Sequence, residues 1–194
     1  MYSTTLTNGG YQVQNEEALI RLAKQRDEKA FAELYEAHFD RVYRYVAIRI
    51  GDQVEAEDMT QQVFLNALQS ISSFNWKGIP FSAWLFRIAH NQVVDHLRKR
   101  SKQAGAPLDE SLVRDDSDPQ QMVEYNLNIE QVQLATVQLT EAQREVISLR
   151  FAGGLSIAEV AKIMGKSQGA VKTLQHSAIV ALRKILLVEN NEKI

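Results

Sequence analysis

The chain has 194 residues, 45% of them apolar, a formal net charge of −2 and no cysteine. That is enough for one large or two small domains with a real core, and it excludes disulfides and thiolate metal sites. No apolar run approaches the roughly 20 residues needed to cross a bilayer, and the start, MYSTTLTNGGYQVQN, lacks the basic and apolar regions of a secretory signal. In chain order, Asn15 is expected to cap a helix ending near Arg26. Asp27 then caps a longer helix with Phe31, Leu34, Tyr35, Val42, Val46 and Ile50 on its apolar side, broken at Gly51-Asp52. The next stripe is Ala56, Met59, Val63, Ala67 and Ile71. After a loop from Phe74 to Pro80, a last helix of this half carries Trp84, Leu85, Ile88, Val94 and Leu97 toward the core. Arg87, Asn91, Asp95 and Arg98 follow at steps of four, four and three and share its exposed side. Asp95 is expected to pair with Arg98 or Arg87, or to be solvated.

Charge then divides the chain. The basic cluster Arg98, Lys99, Arg100 and Lys102 gives way to Asp109, Glu110, Asp115, Asp116, Asp118, Glu124 and Glu130, set against Arg114 alone. Such alternation points to modules with different partners. The segment SKQAGAPLDESLVRDDS has little apolar periodicity and reads as a linker, and Asp118-Pro119 reads as an N-cap with proline at the first helical position. There is no strand alternation. The expected fold is all-α: two small helical domains, 15–100 and 118–190, joined by a flexible acidic linker, 101–117.

The last fifty-odd residues carry the sharpest signals. Thr140 and Gln143 have capping-box spacing ahead of an apolar side at Val146, Ile147 and Leu149, stopped by Gly153-Gly154. Ser156 and Glu159 form a second capping box, opening a short helix with Val160, Ile163 and Met164 on one face. Gly165-Lys166-Ser167 is a tight turn, and Ser167 caps a final helix with a stripe at Val171, Leu174, Ala178, Leu182 and Ile185. Gln168, Lys172, Gln175, His176 and Arg183 lie on its other side. A short helix, a glycine turn and a longer polar-faced helix are what a reader of the DNA major groove requires. No enzyme chemistry is legible. There is no phosphate loop, nucleophile elbow or metalloprotease motif, and His90 and His96 are too ill-spaced on one helix to make a metal pair.

EAEDMTQQVFLNAL, then FSAWLFRIAHNQVVDHLRKR, an acidic linker and LTEAQREVISLRFAGGLSIAEVAKIMGKSQGAVKTLQHSAIVALRKIL together resemble the extracytoplasmic-function class of bacterial RNA polymerase sigma factors, over about Ala30 to Leu187. The resemblance implies a non-enzymatic, cytoplasmic initiation factor without cofactor. It would bind core RNA polymerase, direct it to promoter DNA and help open the duplex, and it would have an anti-sigma partner. It implies that Glu57, Asp58, Gln61 and Gln62, with Phe64 or Leu65 as apolar anchor, face the polymerase clamp. Phe74, Asn75, Trp76 and Lys77 would hold the opened minus-ten strand by stacking and charge, and Arg87, Asn91, Arg98, Lys99 and Arg100 would meet phosphates or base edges. The same aromatics equally suit closing the loop onto the core. Ser167, Gln168, Lys172, Thr173, Gln175 and His176 would read the minus-35 element, Lys172 taking guanine or phosphate and Gln175 adenine. Where many members carry arginines in this last helix, the chain has Leu174, Ser177, Ile179 and Val180. Fewer cations imply weaker, less salt-dependent binding, and Ile179 or Val180 is available to dock a protein. The acidic linker either threads a basic polymerase channel or is a self-repelling spacer. The rival readings are a stand-alone helix-turn-helix regulator and a helical adaptor that has lost DNA binding and uses its last helix for protein contact.

Overall fold

The structure, a computed structural model, describes residues 10–75, 79–104, 132 and 134–191. Among them there is helix and no strand. Four helices make the N-terminal half: α1 (Gly10–Lys24), α2 (Glu28–Ile50), α3 (Gln53–Ser70) and α4 (Phe81–Ala104), with a short 3-10 turn at Ile71–Ser73. In the C-terminal half the described residues include a helical turn at 134–137, then α5 (Glu141–Ile147), α6 (Ile157–Met164) and α7 (Gln168–Asn191).

The punctuation follows the residues that suit it. Asp27 caps α2, its carboxylate accepting from the Ala30 amide at 2.9 Å, and Asp52 caps α3 by accepting from Glu55 at 2.8 Å. Between them Gly51, at φ 84°, takes the left-handed conformation that closes α2. Two expectations shift. Helix α1 begins at Gly10, so Asn15 lies inside it rather than at its cap. Helix α4 continues to Ala104, past the basic cluster and into the segment read as linker; the rest of that segment and Asp118-Pro119 lie outside the described residues.

Helix α2 is the central element, packed by α1, α3 and α4. From Val42 to Ile50 nearly every side chain is buried, including Tyr45 and Arg49. A helix buried on all sides must be covered on all sides, and the second cover is the C-terminal half. Val146, Leu149, Leu155, Val160, Ala161 and Val171 join Tyr45, Phe86, Ala89 and the rest in one continuous core. The two helical halves expected from the sequence thus share this core. A smaller cluster of Leu139, Ile147 and Ala178 holds α5 to α7.

In α4 the core stripe differs by one residue from the expected one. Leu85, Ala89 and Val93 are fully buried, while Val94 is 39% exposed. Adjacent positions on a helix point about 100° apart, so choosing the wrong valine of the pair turned that end of the stripe outward. Trp84 packs on the core as read, with Phe74 and Phe81 as ring neighbours.

Candidate protein and nucleic-acid interfaces

Helix α3 buries Ala56, Thr60, Val63, Phe64 and Ala67 against α2 and α4. Its opposite side leaves Glu57, Asp58, Gln61 and Gln62 in solvent. The two candidate anchors separate cleanly. Phe64 is 4% exposed, its ring 4.6 Å from Tyr35, so it is interior. Leu65 is 51% exposed and Leu68, one turn on, 46%. The face is therefore polar around an exposed leucine pair, the composition of a binding centre with a rim. Leu68 was missed because the apolar stripe claims attention first; an apolar residue off the stripe is the signal that finds it.

The loop after α3 divides the aromatics differently from the strand-holding expectation. Phe74 is 3% exposed, wedged against Phe81 and Trp84 at ring distances of 5.8 and 5.0 Å, and its carbonyl accepts from Lys24 at 2.8 Å. It closes the loop onto the core and offers no face to a base. Asn75 is exposed, whereas Trp76 and Lys77 lie outside the described residues. On α4, Arg87, Asn91, Arg98, Lys99 and Arg100 are all exposed, with Arg87, Asn91 and Arg98 along one side. Asp95 pairs with Arg98 at 3.0 Å, one of the outcomes its spacing allowed. Arg100 and His96 both lie against Glu55, at 3.8 and 3.3 Å, which joins the end of α4 to the start of α3.

In the C-terminal half both capping boxes are formed: Thr140 with Gln143, and Ser156 with Glu159. Ser167 caps α7 through the Ala170 amide at 3.1 Å, after Gly165 turns the chain at φ 62°. Ser167, Gln168, Lys172, Thr173 and His176 are exposed at the start of α7. Gln175 is half-buried, its amide oxygen accepting from Arg150 at 3.0 Å, so the group expected to read adenine is already engaged within the domain. The arginine-poor positions have structural occupants. Leu174 packs on the main core, Ile179 on the small cluster, and Ser177 accepts from Gln143 at 3.1 Å. Only Val180, 52% exposed, is left facing solvent as a possible protein contact; Ile179 is not free for that role.

Between α5 and α6 the chain makes a five-residue π turn, Ser148–Ala152, absent from the sequence reading. It ends at Gly153, where an added Cβ would stand 2.6 Å from the Leu149 carbonyl oxygen and 3.0 Å from the Phe86 ring. The Gly153 carbonyl accepts from Arg41 of α2, and the Arg41 guanidinium lies 5.8 Å from the Phe86 ring centre. Burial lowers the Arg41 pKa against the opposing pull of Glu159 and Glu16. The double glycine thus does more than stop a helix: it lets the two halves approach.

A buried polar cluster also joins the halves. Glu145 of α5 is 4% exposed. One carboxylate oxygen accepts from the Tyr45 hydroxyl at 2.9 Å and from His90 Nδ1 at 2.7 Å; the other accepts from Arg49 Nε at 2.7 Å. Arg49 also pairs with Glu141 at the solvent edge. Burial pushes the Glu145 pKa up, but the His90 hydrogen bond and the Arg49 charge outweigh it, holding it below the ordinary carboxylate range. For Arg49 too, desolvation lowers the pKa and is outweighed, here by Glu145 and Glu141. The Tyr45 hydroxyl is pushed well up by burial and by Glu145, so it stays a donor. No sequence spacing announces this cluster, since its members come from three helices.

Among the described residues no helix is long and apolar enough to cross a membrane. The sequence matches Sigma-70 region 2 over residues 34–103 and Sigma-70 region 4 over residues 137–184. It is 38% identical over 172 residues to the ECF RNA polymerase sigma factor BldN of Streptomyces coelicolor, spanning 87% of this chain and 64% of that longer relative. It is 31% identical over 177 residues to the ECF RNA polymerase sigma factor SigW of Bacillus subtilis, spanning 86% of this chain and 94% of the relative. Among solved structures, CnrH in complex with the cytosolic domain of CnrY superposes with a TM-score of 0.67 at 25% identity, over 90% of this chain and 98% of that one. With both regions present in order and a relative matched over 94% of its length, the chain belongs to the extracytoplasmic-function RNA polymerase sigma factors.

Proposed function

We propose that this chain binds core RNA polymerase, brings it to promoters and assists opening of the duplex, contributing no covalent step of its own and acting in the cytoplasm where polymerase and chromosome meet. The observation that carries the reading is that one chain presents three separate exposed surfaces of the right chemistry. Helix α3 offers Glu57, Asp58, Gln61 and Gln62 around Leu65 and Leu68 for the polymerase clamp. Helix α4 offers Arg87, Asn91, Arg98, Lys99 and Arg100 for the minus-ten region, a row of cations and an amide suited to phosphates and base edges. Helix α7 offers Ser167, Gln168, Lys172, Thr173 and His176 at its N-terminal end, where a recognition helix meets the major groove. The sparse cations of α7 imply that minus-35 contacts add modest affinity, so selectivity leans on the N-terminal domain. An anti-sigma protein is the expected regulator; the structural relative CnrH was solved with a bound protein partner.

The test is transcription by purified core polymerase on a genomic fragment library, with and without the chain. Transcripts that start only in its presence establish the reading and reveal both promoter elements. Tight duplex binding by the free chain with no effect on core would favour the stand-alone regulator instead.

A further inference from the structure

Two observations meet at the C-terminal end of α1. The first is conformational. The helix closes with the Arg26 amide donating to the Ala23 carbonyl at 3.0 Å and the Asp27 amide donating to the Leu22 carbonyl at 3.2 Å. That closure sets Arg26 at φ 67°, and among the described residues no other non-glycine has a positive φ. Glycine takes this left-handed conformation freely, whereas a residue with a Cβ is strained in it. Gly51, Gly154 and Gly165 hold the other left-handed positions. At Arg26 the chain instead places a cation where the backbone favours glycine, and the side chain is exposed.

The second observation is positional. Lys24, in the last turn of α1, donates to the Phe74 carbonyl at 2.8 Å. Helix α1 also packs on the Ile71–Ser73 turn, and Ile20 and Ala23 share the core with Ile71 and Phe74. The end of α1 is therefore fixed to the start of the loop, where Asn75 is exposed. Arg21 stands nearly one turn before Lys24, about 4.5 Å along the helix axis. Arg26 follows Lys24 by two residues, within about 7 Å. Both arginines are exposed, and no side-chain hydrogen bond or ion pair holds either one within the described residues. Of the neighbouring acids, Asp27 is engaged as the α2 cap. Two cations of α4 are less available, because Arg98 pairs with Asp95 and Arg100 lies against Glu55. Cations in a last turn also suit the helix dipole, but Arg26 lies beyond the helix and gains least from it.

We infer that the C-terminal end of α1 is a further strand-binding surface beside the minus-ten loop. Arg21 and Arg26 hold backbone phosphates of the opened DNA strand, and the Lys24 bond to Phe74 keeps them beside the loop. The ligand is single-stranded DNA, met through its phosphates and without sequence preference. That the strand belongs to a promoter rests on the function proposed above.

The test is fluorescence anisotropy of the full chain with a labelled single-stranded oligonucleotide of random sequence, repeated over a range of salt. Arg26→Gly should lower the affinity about two- to fivefold and flatten the log–log salt dependence by about 0.7. Its melting temperature should be no lower than native, because glycine relieves the left-handed turn. A cation present only to stabilise the fold would give the opposite pair of results. Arg21→Gln should weaken strand binding to a similar degree. Lys184→Gln removes an exposed cation from the other half and should leave the affinity native. The same oligonucleotides annealed to their complements should be affected less than the single strands. Native strand affinity in Arg26→Gly, an equal loss in Lys184→Gln, or a larger loss on duplex than on single strand overturns the inference. The oligonucleotide assay needs neither polymerase nor promoter. Absence of chain-dependent transcription would therefore overturn the proposed function, while strand binding still decides the role of this surface.

Discussion

Leu65 and Leu68 offer the sharpest separation between binding and folding. They are 51% and 46% exposed, so together they hold back about one leucine's worth of apolar surface from the fold. Full burial of a leucine side chain is worth about 1.5–3 kcal/mol. If core polymerase covers this pair, the double variant Leu65→Ala, Leu68→Ala loses most of that, less what the alanines retain, or about 1–2 kcal/mol. At about 1.4 kcal/mol per factor of ten, core affinity should fall roughly 5- to 30-fold. Folding should be nearly untouched, since surface substitutions usually stay within about 0.5 kcal/mol. The neighbour Phe64 is the control. At 4% exposure, Phe64→Ala should cost about 3–5 kcal/mol of stability and reduce core binding only through unfolding. The assay is fluorescence anisotropy of labelled chain titrated with core polymerase, paired with thermal denaturation by circular dichroism. A double leucine variant with native melting and native affinity would remove α3 from the polymerase interface and refute the reasoning.

Further outcomes follow from the same geometry. Lys172→Ala should weaken binding to promoters that carry a minus-35 element and reduce the salt slope by about 0.9; equal transcription from templates with and without the element would refute this role. Charge reversal at Arg98 and Lys99 should abolish promoter opening, read by permanganate footprinting, while core affinity stays native; unchanged opening would count against both residues. Phe74→Ala should destabilise the fold by about 3–5 kcal/mol, and loss of opening at a temperature where the variant is still fully folded would show that the ring acts on DNA after all. Because the Glu145 pKa is depressed when docked, its contribution to interdomain docking is fully present above the ordinary glutamate range of about 4.3 and is lost as pH falls through the depressed value. Interdomain distances should therefore lengthen in acid. The groups facing it are Tyr45, Arg49, His90 and Glu141, and Glu145→Gln should flatten the acid limb.

The recognition domain was largely legible because its signals are local. A capping box needs two residues three apart, and a left-handed turn needs a glycine, so Ser156 with Glu159 and Gly165 could be read directly. The exposed row on α4 was legible because charged residues at helical spacing have one solvated place to go. Phe74 was ambiguous for the opposite reason. An aromatic in a loop suits stacking on a base and packing on a core equally, and only the nearby rings of Phe81 and Trp84 decide between them. The arginine-poor positions of α7 likewise gained meaning only from α5, whose Ile147 and Gln143 occupy the space beside Ile179 and Ser177.

What the sequence determined by itself was the set of helices, most of their ends, and which polar side chains lie on their exposed faces. These depend on backbone propensities and on side chains a few residues apart. What only the tertiary structure decided was that α2 is covered from both sides, that Gly153 lets the halves meet against Phe86, and that Glu145 ends among Tyr45, Arg49 and His90. Periodicity shows which face of a helix is apolar but not what covers it. A glutamate on a short amphipathic helix reads as solvated until a partner some hundred residues earlier in the chain supplies its buried cation.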